Sequence, residues 1–348
     1  YTTINKSTDH FNTKLYTGTG SSNSITGVGF QPDWVWIKDR SSGYENNLFD
    51  SIRGATKHLY SDSSAAEGTH TGTLTSFDSD GFSLGSASQT NLSSDNFVSW
   101  NWLASNTTAS NTDGTITSTV SANTTAGFSI VSYTGTGANA TVGHGLGVAP
   151  SLIILKNRDD TSGWRVGHES LGFTKYLVLD STSASATQTN IWNDTSPTSS
   201  VFTVGSGSSV NDNAEDYIAY CFVNKTGYSK FGSYTGNNNA DGPFIYTGFK
   251  PSFIMLKKSN GNAQSWYIYD SKRLGINSDN NTYANKVLNP NSTNSEASAG
   301  TFKFDILSNG FKIRESGDQT NGNGGTYIYM AFAEAPLVGS NNVPCTAR

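Results

Sequence analysis

The chain has 348 residues, of which 14% are charged, a formal net charge of −5 and a pI of about 5.5. That length can hold two or three domains with cores of their own. The acidic balance, with no Lys/Arg run, argues against a nucleic-acid partner, and no apolar run approaches the roughly 18 residues of a membrane-spanning helix.

Glycine is abundant at 36, aromatic residues reach 12% and methionine is only 2, a balance that favours strands over helices. The first residue, Tyr1, predicts a chain processed or cut from a longer one. Residues 1–14 are polar without a clear period and read as a lead-in segment. Cys221 lies in an apolar strand pattern and reads as a small buried residue, while Cys345 lies in the tail. No disulfide framework is expected, and assembly in a reducing cytosol is compatible.

A ten-residue stretch then recurs three times. It reads Gly29-Phe30-Gln31-Pro32-Asp33-Trp34-Val35-Trp36-Ile37-Lys38 in the first copy and runs Gly147–Lys156 and Gly248–Lys257 in the others. Each copy follows a Tyr-Thr-Gly opening at Tyr16, Tyr133 or Tyr234, and the Tyr-to-Pro spacing is 16 or 17 residues. Pro32, Pro150 and Pro251 are expected at strand starts, where a missing N–H costs least. The residues that follow are apolar on both strand faces. Trp34, Leu152 and Phe253 share one position, and Trp36, Ile154 and Met255 share the next on the same face. A strand apolar on both faces must be covered on both, by a sandwich core and by a neighbouring copy or subunit.

The rest of each copy also aligns. A polar loop leads to Leu48-Phe49-Asp50, Val166-Gly167-His168 or Ile268-Tyr269-Asp270. Hairpin turns are read at Ser79-Asp80-Gly81 and Ser308-Asn309-Gly310, with Pro197–Ser200 at the corresponding place in the second copy. Each copy closes on an apolar strand: 98–103, 218–223 or 328–333. The reading is all-β: three tandem β-sandwich, jelly-roll-like repeats of about 100 residues. Their bounds are 15–104, 115–224 and 225–335, with a Ser/Thr/Asn linker at 105–114 and an extended tail at 336–348. The shorter join between the second and third repeats, carrying Tyr228 and Phe231, predicts tighter packing there than between the first two.

No constellation for catalysis, metal or cofactor stands out. Asp159-Asp160 and Glu215-Asp216 are adjacent pairs that would diverge in a strand, and the five histidines are scattered. Asp50, His168 and Asp270 fall at one equivalent position and read as strand-end caps. Trp34 and Trp36 read as core, because their counterparts are aliphatic, Phe or Met. Trp164 and Trp266 are better contact candidates. The first copy has Asn46 at that position, which points to a partly exposed site, and Tyr228 joins them as a candidate contact.

These motifs together resemble an uncharacterised repeat family frequent in virion proteins of marine and cyanobacterial tailed phages. The residues that carry the resemblance are the Gly-Phe-x-Pro stretch, Leu48–Ala55, the Tyr-Thr-Gly openings and the ending Tyr327–Glu334. The resemblance implies a non-enzymatic virion protein, a tail fibre or surface appendage assembled in the host cytoplasm. Its partners would be other virion subunits and a host surface glycan or receptor. A shell-stabilising decoration protein and a secreted bacterial carbohydrate-binding or adhesin module are the alternatives. A homotrimer is usual for fibres, and three copies in one chain can also arrange with pseudo-threefold symmetry.

Overall fold

The computed structural model describes residues 2–273, 286–298 and 303–336 and is all-β, built from antiparallel sheets. The tail beyond Pro336, with Cys345, lies outside the described residues.

One four-strand order occurs three times. In the first unit it is Phe11–Thr17, Asn96–Trp102, Trp34–Asp39 and Asn47–Asp50. In the second it is Phe128–Thr134, Asp216–Phe222, Leu152–Asn157 and Arg165–His168. In the third it is Ser229–Thr235, Thr326–Pro336, Phe249–Lys258 and Trp266–Asp270. The Gly-x-x-Pro strand and the closing strand are central neighbours each time, with Trp36 opposite Trp100, Ile154 opposite Tyr220 and Met255 opposite Met330.

The two apolar faces of these strands go to different cores. Trp34, Trp36, Leu152, Ile154, Phe253 and Met255 all enter one central core shared by the three units. The alternate residues face private cores. Val35 and Ile37 pack with Ile25, Phe82 and Leu84; Ile153 and Leu155 with Val142 and Phe202; Ile254 and Leu256 with Ile245 and Phe311. A small outer sheet covers each private core: Asn23–Thr26 with Gly81–Leu84 and Leu74–Asp78, Ala140–Gly143 with Val201–Val204, and Phe244–Tyr246 with Gly310–Ile313 and Phe304–Leu307. The central core is strongly aromatic. Trp34 stacks on Tyr220 of the second unit at 4.3 Å, and Phe253 of the third lies edge-on to Trp100 and Trp102 of the first.

Several boundaries differ from the sequence reading. The first strand begins at Phe11, inside the expected lead-in, and Ile4 enters the central core. The expected linker contributes a strand, Ala109–Asn111, to the edge of the second large sheet, while Ala104 and Asn106 donate backbone N–H groups to Asp33. Pro251 sits inside a strand rather than before it. The ladder register shifts on both sides of it, which spares the bond that proline cannot donate. The closing strand of the third unit reaches Pro336, so the tail starts one residue later. Short helical turns occur at Ser88–Asn91, Thr189–Trp192 and Ser208–Asn211. The second occupies the region where the first and third units have a strand ahead of their hairpin.

Candidate functional site

The sequence candidates Trp164, Trp266 and Asn46 are not exposed. Each is at most 1% accessible. All three lie at seams between units and act alike. Trp164 Nε1 donates to the Tyr60 carbonyl of the first unit at 2.8 Å, and Trp266 Nε1 donates to the Val178 carbonyl of the second at 2.9 Å. Asn46 Nδ2 donates to the Asn289 carbonyl of the third at 3.1 Å and to Ser292 at 3.0 Å, while its Oδ1 accepts from Trp36 Nε1. A polar residue is tolerated here because every polar atom of the Asn46 amide is satisfied, not because water reaches it. Tyr228 is also buried, packed edge-on to Phe332 and His10.

A second set of bonds follows the same circuit. Glu67 N–H donates to the Arg158 carbonyl at 2.7 Å, Ser185 to Ser259 at 2.9 Å and Glu296 to Arg40 at 3.0 Å. The first unit thus touches the second, the second the third, and the third the first, closing a ring. At two seams charge reinforces the backbone. Glu67 bridges Arg53 of its own unit and Arg158 of the next, and Glu296 bridges Arg273 and Arg40. Burial alone would raise both carboxyls, but the bonds from Arg158 and Arg40 and the charges of Arg53 and Arg273 hold them below the ordinary value. Arg53 also pairs with the fully buried Asp50. Burial would lower the guanidinium, and Asp50 overrides it, so Arg53 is held above its usual range. Asp50 accepts the Tyr220 hydroxyl at 2.7 Å, and Asp270 accepts Trp100 Nε1 at 3.1 Å, both across seams.

The seam between the second and third units differs. It carries His168, Leu171 and Ser185 where the others carry Asp, Arg and Glu, while Tyr228 and Phe231 of the short join are buried in the central core. His168 is buried beside a cavity of about 10 Å³ lined by Leu152, Met255, Trp266 and Met330. Its Nδ1 accepts from the Ser170 N–H at 3.0 Å and its Nε2 contacts the Tyr329 carbonyl at 3.3 Å, which fixes a neutral ring protonated on Nε2. Burial pushes its pKa down to about 4. The three equivalent lysines are likewise internal ties. Lys38 reaches Tyr44 and Thr293 carbonyls, Lys257 reaches Thr182 and Gln264, and Lys156 reaches Asn157 and Asp160. Burial pushes each amine down to about 8.

One repeated motif escaped the sequence reading. Asn91, Asn211 and Asn321 are fully buried at equivalent turns. Each Oδ1 accepts a backbone N–H from the loop after the Tyr-Thr-Gly opening: Thr19, Thr136 and Asn237. Each Nδ2 donates to one carbonyl of that loop and to one shortly after the last strand of the small outer sheet: Ser21 and Gly85, Ala138 and Gly205, or Asn239 and Glu315. The opening tyrosines Tyr16, Tyr133 and Tyr234 donate to the residue just before each asparagine. The available signal was an Asn five residues ahead of the start of each closing strand.

The outer face is where the units diverge. On the small sheet of the third, Phe244 and Tyr246 point outward and are 46% and 59% accessible, with Ile245 inward between them. In register, Tyr246 lies opposite Gly310 and Phe244 opposite Lys312. Asp241 pairs with Lys312 at 2.6 Å, and Arg314 with Asp305 at 2.9 Å. The first unit has Ser24 and Thr26 at these positions, and the second Thr141 and Gly143.

A family model, a domain of unknown function (DUF7483), matches residues 6–336. The chain belongs to the DUF7483 family. No curated protein and no solved structure matches it. The DUF7483 match runs across all three units and all three seams, so the ring as a whole, rather than one sandwich, falls within the family's span.

Proposed function

We propose that this chain is a non-enzymatic virion structural protein, a tail fibre or surface appendage that contacts the host cell surface. The observation that carries the reading is the Phe244–Tyr246 pair, exposed beside ion-paired polar groups on the outer sheet of one unit. Large exposed aromatics beside hydrogen-bonding groups are the composition of contact surfaces. The resemblance to phage virion repeats supports the same reading. So does the use of ionisable groups: Asp50, His168, Asp270, Glu67 and Glu296 serve as ties between units.

A shell-decoration reading would use the doubly apolar strands as seals between subunits. Their second face is taken up by the central core within this one chain, which removes that argument. Electron microscopy of intact particles from the encoding phage, with a labelled antibody against this chain, tests the proposal. Label on the tail or particle surface is expected; signal only in material free of particles would refute it.

A further inference from the structure

We infer that the outer sheet of the third unit, around Phe244 and Tyr246, is a binding platform for a neutral polysaccharide. This deepens the contact reading above and rests on it for biological meaning, but the chemistry stands on the face itself. Residues 244 and 246 are two apart on one strand, so their side chains stand about 7 Å apart on one face. Gly310 lies opposite Tyr246, and the Phe244 ring leans over it: a Cβ built on Gly310 would sit 3.1 Å from Phe244 Cε2. That Cβ would also lie 2.0 Å from the Ile245 carbonyl, so the position is held as glycine and leaves a shallow floor beside the rings.

Such a floor suits the flat C–H face of a sugar ring, which gains dispersion contact on aromatic carbon. Sugar hydroxyls need donors and acceptors at the rim. Lys312 and Arg314 supply donors, and Asp241 and Asp305 supply acceptors. These four charges sum to zero and are already paired, so the face complements a neutral chain rather than an acidic one. The equivalent faces, with Ser24 and Thr26 or Thr141 and Gly143, lack the rings, which assigns the platform, among the described residues, to the third unit.

The test is affinity electrophoresis of the full chain in gels containing dextran, laminarin or mannan, with alginate as the anionic comparison. Retardation in at least one neutral gel is expected. Phe244→Ala and Tyr246→Ala should each weaken it at least tenfold with an unchanged melting temperature, and Ser24→Ala should not alter it. Unretarded migration in all three neutral gels overturns the inference, as does retardation confined to alginate or indifferent to both aromatic substitutions. A concentration-dependent dimer abolished by Phe244→Ala would also overturn it, by assigning the face to a second copy. Particle labelling without sugar binding would leave the appendage reading standing and remove the platform.

Discussion

At the scale of single residues, His168 makes the clearest prediction. Asp50 and Asp270 each accept a backbone N–H from the turn after their strand, and His168 Nδ1 does the same with Ser170. A neutral native ring with a pKa near 4 means that the unfolded chain binds the extra proton between about pH 6.5 and 4. Stability should therefore fall by about 3 kcal/mol as pH drops through that window and then level off for this group. His168→Asn keeps an acceptor and a donor but cannot titrate. Urea unfolding at pH 7, 5.5 and 4.5 should show the His168-dependent slope vanish in that variant. Asn211→Ala strips one N–H and two carbonyls of their partners and should cost about 3 kcal/mol by the same measurement. A cost below 1 kcal/mol would show that water replaces the amide.

At the scale of elements, the repeated strand was legible because its information is local. Four apolar residues after Pro-x and the Gly-containing hairpin turns at Asp80-Gly81 and Asn309-Gly310 point to strands without knowledge of partners. The seams were not legible in the same way. Asn46 finds its acceptors more than 240 residues away, and Trp164 its acceptor 104 residues away, so side-chain polarity alone suggested exposure for groups that are buried and satisfied. The outward pair at 244 and 246 was not singled out, because it lies outside the segments that recur in all three copies. Aligning Ile25, Val142 and Ile245 would have exposed it, because the flanking residues are Ser, Thr or Gly in two copies and aromatic in one. The central strand also makes a prediction of its own. Trp34→Ala removes a ring stacked between units and should destabilise by about 4 kcal/mol, quenching little else. Val35→Ala, on the private face of the same strand, should cost less, and the difference read by calorimetry measures how much the shared core contributes.

At the scale of the whole molecule, the shared core and the three backbone ties couple the units. Far-ultraviolet circular dichroism and tryptophan fluorescence should report one coincident urea transition. Three separate transitions would mean that the private cores suffice alone. The acidic seams add a second pH dependence. Glu67 and Glu296 have lowered native pKa values, so their contribution is full above about pH 4.5, the ordinary glutamate value, and is lost as pH falls through the lower native values. Glu67→Gln and Glu296→Gln should each flatten that acid limb while leaving the His168 window in place. Each should also lower stability at pH 7 by about 2 kcal/mol, because two guanidinium groups, one of them fully buried, lose a charged partner.

The closed ring has a consequence for how such a molecule can change. In an assembly of three identical chains, any substitution appears three times, and a mutation useful on one face is imposed on the other two. Here the three sectors are written separately in one chain, while their shared interior holds them in a common frame. One sector has exchanged acid–base ties for a histidine, and another has put rings where its siblings keep hydroxyls or glycine. Asymmetry of surface is thus available at no cost to symmetry of construction.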